Sequence, residues 1–330
     1  MILHPAIIAL LVSSGLMSFL VLYAAFYGIR IIMSWNLQSG SSQQIELERR
    51  TYLISTVLTY VFGFQLISLF LYVYTTDSLC TLFTGAMCAV GTLNVNRFGY
   101  PVLFLKVLNF LLAGLWLIVN TADNRGYDYP LIRKKYVFLL AIAPLLIAET
   151  VLQASYFLAL HPDVITSCCG SLFSGSEEAL VSDLSAFPAA LMKMLFPACM
   201  ALTFSIGVFF YWKGKGGYLF SALSAASFLV SLASILSFIA PYVYELPTHH
   251  CPFCLLQKEY SYVGYPLYVA LLVGAVSGMG VGVLMPFKKT PSLTSAVPAL
   301  QKKLSLLSLL SYGAFTMIVL YRILISHLVL

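Results

Sequence analysis

The stretch "PVLFLKVLNFLLAGLWLIVNTA", residues 101–122, decides the fold class. Its 22 residues carry one charge, Lys106. At about 1.5 Å of rise per residue, a helix of that length crosses the roughly 30 Å of hydrocarbon in a bilayer. Seven further apolar runs of similar length flank it, at 5–30, 51–75, 136–160, 188–212, 217–242, 263–285 and 305–328. The composition agrees, with 60% hydrophobic and only 9% charged residues, against about 25% charged in an ordinary soluble domain. The runs are continuously apolar rather than alternating, which excludes a β-barrel pattern. We therefore expect an all-α polytopic membrane protein with eight transmembrane helices, forming one integral membrane domain over 1–330. Lipid is its first partner.

The connections carry the topology. A net charge of +6 in a soluble protein would point to nucleic acid, but here the basic residues sit in short loops, where they set orientation. Of the 18 lysines and arginines, 13 fall in alternate connections: Arg30, Arg49, Arg50, Arg125, Arg133, Lys134, Lys135, Lys213, Lys215, Lys288, Lys289, Lys302 and Lys303. The rule that positive loops stay inside predicts those connections to be cytoplasmic and both termini to face outward. The first apolar run is too long for a signal-peptide core and reads as a retained span. On this orientation six of the seven cysteines (Cys80, Cys88, Cys168, Cys169, Cys251, Cys254) lie in outer loops, and Cys199 lies within the fifth span. All five histidines lie at outer positions. The outer side is where disulfides persist, so the expected location is the inner membrane of a bacterial-type cell.

A repeat runs beneath the spans. Gln65 precedes Cys80, and Gln153 precedes Cys168, by the same 15 residues; Pro101 and Pro188 each have a lysine five residues on, Lys106 and Lys193. All four markers are offset by 87 or 88 residues. A third, weaker copy passes through Cys251 and Pro266. The expectation is a set of helical hairpins, 51–122, 136–212 and 217–285.

The chemistry concentrates in "THHCPFCLLQKEY", residues 248–260. A Cys-x-x-C pair closes a small ring and can cycle between dithiol and disulfide. His249, His250 and Lys258, when charged, favour the thiolate. A second pair is needed to pass electrons on, and Cys80 with Cys88 is the candidate shuttle. On this reading at least one of Cys251 and Cys254 is reachable from the outer water. The residues admit two other readings: a disulfide that ties outer loops together, in a non-catalytic subunit of an electron-transfer assembly, and a metal clasp. For the latter, thiolates with the imidazoles of His249 and His250 suit zinc or copper.

The run Cys251-Pro-Phe-Cys254-Leu-Leu-Gln257-Lys258 resembles the motif of DsbB-type membrane disulfide oxidoreductases, and vitamin K epoxide reductases place a Cys-x-x-C in a similar setting. The resemblance covers about ten residues. It implies an outer dithiol, Cys251 and Cys254, that gives electrons to a quinone, with Gln257 and Lys258 on the quinone side. Its substrates would be a periplasmic thiol protein or the subunits of a membrane electron-transfer chain.

Ionisable groups within spans are functional candidates by default. Glu149, in the fourth span, is expected to be neutral, paired, or a proton relay, and with Lys106 and Lys193 it joins the candidate cofactor-binding residues. The lysines alternatively snorkel to the surface. Gln65 and Gln153 are expected to hydrogen-bond between helices. The glycines of "GMGVGVL", residues 278–284, are read as close helix contacts.

Overall fold

The computed structural model describes residues 3–36, 41–161, 163–166 and 189–328. Eight of its helices are long and apolar enough to cross a membrane. They are α1 (Pro5–Ser34), α2 (Ser42–Ser78), α3 (Gly99–Asp123), α4 (Ile132–Leu158), α5 (Ala189–Lys213), α6 (Gly217–Ser234), α7 (Gly264–Leu284) and α8 (Ala296–Ile325). No strand occurs among the described residues. The chain is a multi-pass, all-α membrane protein. Large apolar side chains such as Phe19, Tyr60, Leu229 and Leu310 point outward and are more than half exposed, as a lipid-facing surface requires.

The helices cluster into two units. The first consists of residues 1–84, 92–166 and 287–297, the second of 85–91, 167–286 and 298–330. One arm of the expected hairpin 136–212 thus falls in each unit. In the first, α1 packs on α2 and α4, and α3 packs between α2 and α4. Its apolar core includes Met17, Val21, Phe62, Trp116, Tyr136 and Ile142, with the Phe62 and Trp116 rings 4.8 Å apart. Pro5 opens α1 in the first turn, where its missing N–H leaves nothing unpaired. Pro144 and Pro197 lie inside α4 and α5, a placement that membrane helices tolerate because neighbouring groups satisfy the freed carbonyls.

In the second unit α6 packs on α5 and α7. The glycines of α7 allow this, as the sequence indicated. A Cβ on Gly278 would stand 2.1 Å from Ser224 Oγ. Tyr312 of α8 donates to the Ser224 carbonyl at 2.7 Å, and Ser308 donates to the Gly274 carbonyl at 2.8 Å. Beyond Ser234, α6 widens into a π turn at Ile235–Ile239 before a last α turn, Ala240–Tyr244. π turns within α-helices are rare and cluster at functional sites. Here the turn leads directly into the segment that carries the Cys-x-x-C.

Candidate functional site

The second unit brings three sulfurs together. Cys88 Sγ lies 3.5 Å from Cys251 Sγ across 163 positions of sequence, and the Sγ atoms of Cys88, Cys251 and Cys254 all lie within 4.8 Å of one another. Their residues are 0%, 3% and 6% exposed. The expectation that the Cys-x-x-C is reachable from water therefore needs correction: the pair is buried. All five described cysteines are thiols. Cys80 is half-buried at the start of a short 3-10 helix, Cys80–Leu82, in the first unit, while Cys88 belongs with the second. Cys168 and Cys169, and the repeat marker Pro188, lie outside the described residues.

Local structure holds the Cys-x-x-C in place from both sides. Cys254 begins a 3-10 helix, Cys254–Leu256, whose next residues Leu255 and Leu256 are buried. Gly264, at the start of α7, makes that packing possible, since a Cβ there would meet the Leu255 carbonyl carbon at 2.9 Å. Tyr244, at the end of α6, donates to the Cys251 carbonyl at 2.5 Å, and Tyr268 of α7 donates to the Pro252 carbonyl at 2.7 Å. Gln257 donates to the Met87 carbonyl at 2.9 Å, tying the Cys-x-x-C segment to the residue before Cys88. Lys258 is exposed.

The sulfurs share protons unequally. Hydrogen bonds from Cys254 and Cys88 hold the Cys251 thiol far below its ordinary range, at about 4, although burial opposes this. The same sharing pushes Cys254 well above the usual thiol range, because its proton is the one donated to Cys251. The trio is thus built to carry one thiolate, on Cys251. The histidines contribute differently from expectation. His249 stacks edge-on against Tyr244 at 4.5 Å, and burial, then His250, lowers its pKa, so it is biased toward the neutral ring. His250 Nδ1 pairs with the Leu236 carbonyl at 2.8 Å, within the π turn. Neither imidazole joins the group of donors around the sulfurs.

The other candidates lie on the helices. In the first unit, Lys106 Nζ donates to Glu149 Oε1 and to Ser68 Oγ, both at 2.8 Å. Gln65 and Asn109 each donate to Glu149 Oε2 at 2.7 Å. Lys106 is 0% and Glu149 2% exposed, so Lys106 does not snorkel; its charge is matched inside the bundle. Gln153 donates to the Leu10 carbonyl and to Ser14 Oγ at 3.1 and 3.2 Å. Both glutamines therefore bond between helices, as expected. Lys193, in the second unit, sits over the Tyr242 ring at 5.2 Å.

Sequence reasoning missed a second buried pair in the first unit. Lys135 had been counted with the loop bases, yet it is 1% exposed and bonded to Asp123 Oδ2 at 2.7 Å and Asn120 Oδ1 at 3.0 Å. Asp123 Oδ1 also accepts from the Leu131 backbone N–H at 2.9 Å, fixing the α3–α4 connection. The signal was available: Asp123 and Lys135 lie at facing ends of a short hairpin.

No family model matches the chain, and no curated protein or solved structure matches it.

Proposed function

We propose that this chain is a membrane thiol–disulfide electron-transfer protein, with Cys251 and Cys254 as its working dithiol and Cys88 as the thiol that exchanges with it. The observation that carries the reading is the 3.5 Å approach of Cys88 to Cys251. Exchange needs a thiolate in line with a sulfur it can attack, and the trio offers a stabilised thiolate with two neighbours in reach.

The steps balance as follows. When Cys251 and Cys254 join, two electrons and two protons pass to an acceptor of the quinone class, which becomes a quinol. Cys88 then attacks Cys251, its proton passing to the departing Cys254 sulfur, so that a Cys88–Cys251 disulfide forms and Cys254 is released as a thiol. Cys80, eight positions before Cys88, next attacks Cys88, which yields a Cys80–Cys88 disulfide and frees Cys251. That last disulfide accepts two electrons from an extracytoplasmic dithiol protein. The charge pattern of the connections supports placing the cysteine-bearing loops on the outer face of a bacterial-type inner membrane, where such a donor is found. Gln257 and Lys258 are assigned to the acceptor side on the motif resemblance.

The test is to trap the exchange. In Cys80→Ser, oxidised with quinone, the Cys88–Cys251 disulfide has no Cys80 thiol to carry it onward and should become detectable by peptide mapping without reductant. Cys251–Cys254 as the sole disulfide, with Cys88 left as thiol, would overturn the reading.

A further inference from the structure

The geometry points to a second use for the same three sulfurs: reduced, Cys88, Cys251 and Cys254 form a three-coordinate site for a soft monovalent cation of the copper(I) class. This goes beyond the exchange reading and uses the sulfurs without their redox cycle.

The argument begins with spacing. Two sulfurs in a disulfide lie about 2.05 Å apart, and a third has no place in that bond. Three thiolates around one ion, at metal–sulfur distances of about 2.3 Å, stand roughly 4 Å from each other. The observed sulfurs all lie within 4.8 Å of one another, with Cys88 and Cys251 3.5 Å apart, a spacing compatible with that triangle. All three residues are buried.

The identity of the ion follows from what surrounds the triangle. Structural zinc closes its shell with a fourth nitrogen, sulfur or carboxylate. Among the described residues no fourth His, Cys, Asp or Glu donor joins the group. His250 has its Nδ1 on the Leu236 carbonyl. The nearby phenols are also committed, Tyr244 to the Cys251 carbonyl and Tyr268 to the Pro252 carbonyl. Leu255 and Leu256, which follow Cys254, are buried apolar residues. A buried, all-sulfur site with three donors among the described residues suits a soft ion that accepts low coordination, which among biological metals means copper(I).

As the ion enters, each thiol still protonated releases its proton to solvent, and no electron moves. The ion then holds the lone pairs that a disulfide would need, so metal binding and oxidation exclude each other. Bound copper(I) would lock the centre in its reduced state, making thiol exchange responsive to the metal.

The experiment uses the full-length chain in detergent, reduced and without oxygen, with Cys80, Cys168, Cys169 and Cys199 all changed to Ser. Copper(I) is titrated against a chromophoric copper(I) chelator, and zinc(II) against a zinc chelator. The expected result is one copper(I) per chain, with thiolate-to-copper absorbance in the ultraviolet and weaker retention of zinc. Cys88→Ser, Cys251→Ser and Cys254→Ser should each weaken retention by at least about a hundredfold, since even outer-shell partners of a metal are worth tenfold to a hundredfold. His249→Ala with His250→Ala should leave retention unchanged, and prior oxidation should abolish it. The inference is overturned if copper(I) is not retained, if zinc is held more tightly, or if retention follows the histidines and not Cys88. Disulfide trapping in Cys80→Ser is scored without metal, so failure of the exchange reading and failure of the metal site are separate results.

Discussion

Cys88 and Cys251 meet sulfur to sulfur at 3.5 Å although 163 residues separate them. The contact is held from two directions: Gln257 bonds the Met87 carbonyl beside Cys88, and Tyr244 bonds the Cys251 carbonyl. A soft loop contact would lack such bracing. The bracing makes reactivity at Cys251 a property of the whole trio.

The first prediction concerns pH. With its pKa held at about 4, Cys251 stays ionised as pH falls from 8 to 5.5. Its mixed-disulfide formation with a small thiosulfonate, in reduced and metal-free protein, should therefore change little over that range. An ordinary thiol, with a pKa near 8.5, loses about tenfold in thiolate per unit. In Cys254→Ala with Cys88→Ala, which removes both thiol donors to Cys251, the steep ordinary profile should return. A steep profile in the unaltered protein would contradict the assignment of the thiolate to Cys251.

Breaking the Lys106–Glu149 pair should cost more than removing it. Either Glu149→Gln or Lys106→Met leaves one buried charge without its partner, a loss of about 3–5 kcal/mol. The double variant removes both charges and should recover most of that stability. Thermal unfolding in one detergent, compared across the three variants, measures it. Additive losses in the double variant would show that the two residues act separately.

Gly278→Ala should loosen the second unit. Its new Cβ would stand 2.1 Å from Ser224 Oγ, and overpacking of this kind costs about 1–3 kcal/mol. Ser224→Gly in the same chain opens the space and should restore part of the melting temperature. Equal melting temperatures for Gly278→Ala and the parent would place α6 and α7 farther apart than described.

Reporter fusions test the orientation proposed from charge. Fusions in the connections 124–131 and 214–216 should report the cytoplasm, and fusions at 245–250 the opposite side. The reverse pattern would move the sulfurs to a reducing compartment, where stable disulfides are disfavoured.

Much of the fold was legible because lipid imposes one simple demand, a long apolar run, and eight runs gave eight helices. The ends were less legible. Helix α2 begins at Ser42 rather than 51, with Ser41 accepting from the Gln44 N–H; α8 begins at Ala296 rather than 305. Both extensions are polar turns that follow helix hydrogen bonding without adding to hydropathy. At the site, the Cys-x-x-C announced itself by spacing. The approach of Cys88 did not, because a contact over that sequence distance leaves no local pattern. Lys135 was misread for a related reason: a lysine near a helix end looks like a loop base until the aspartate facing it is known.

The two charge pairs of the first unit also bear on how the chain enters the membrane. Both pairs join the same two helices, Lys106 to Glu149 and Asp123 to Lys135, and the connection between them is only 124–131. Alone, α3 would carry the buried Lys106 and Asp123 toward lipid, and α4 the buried Lys135 and Glu149; a charge at a helix centre opposes insertion by about 2.5–3.5 kcal/mol, and one near a helix end by less. Zipped together, the signs cancel at both ends of the hairpin. Joined as a hairpin, α3 and α4 carry both buried pairs into the bilayer with their charges matched, and leave Arg133 and Lys134 as the exposed charges of α4.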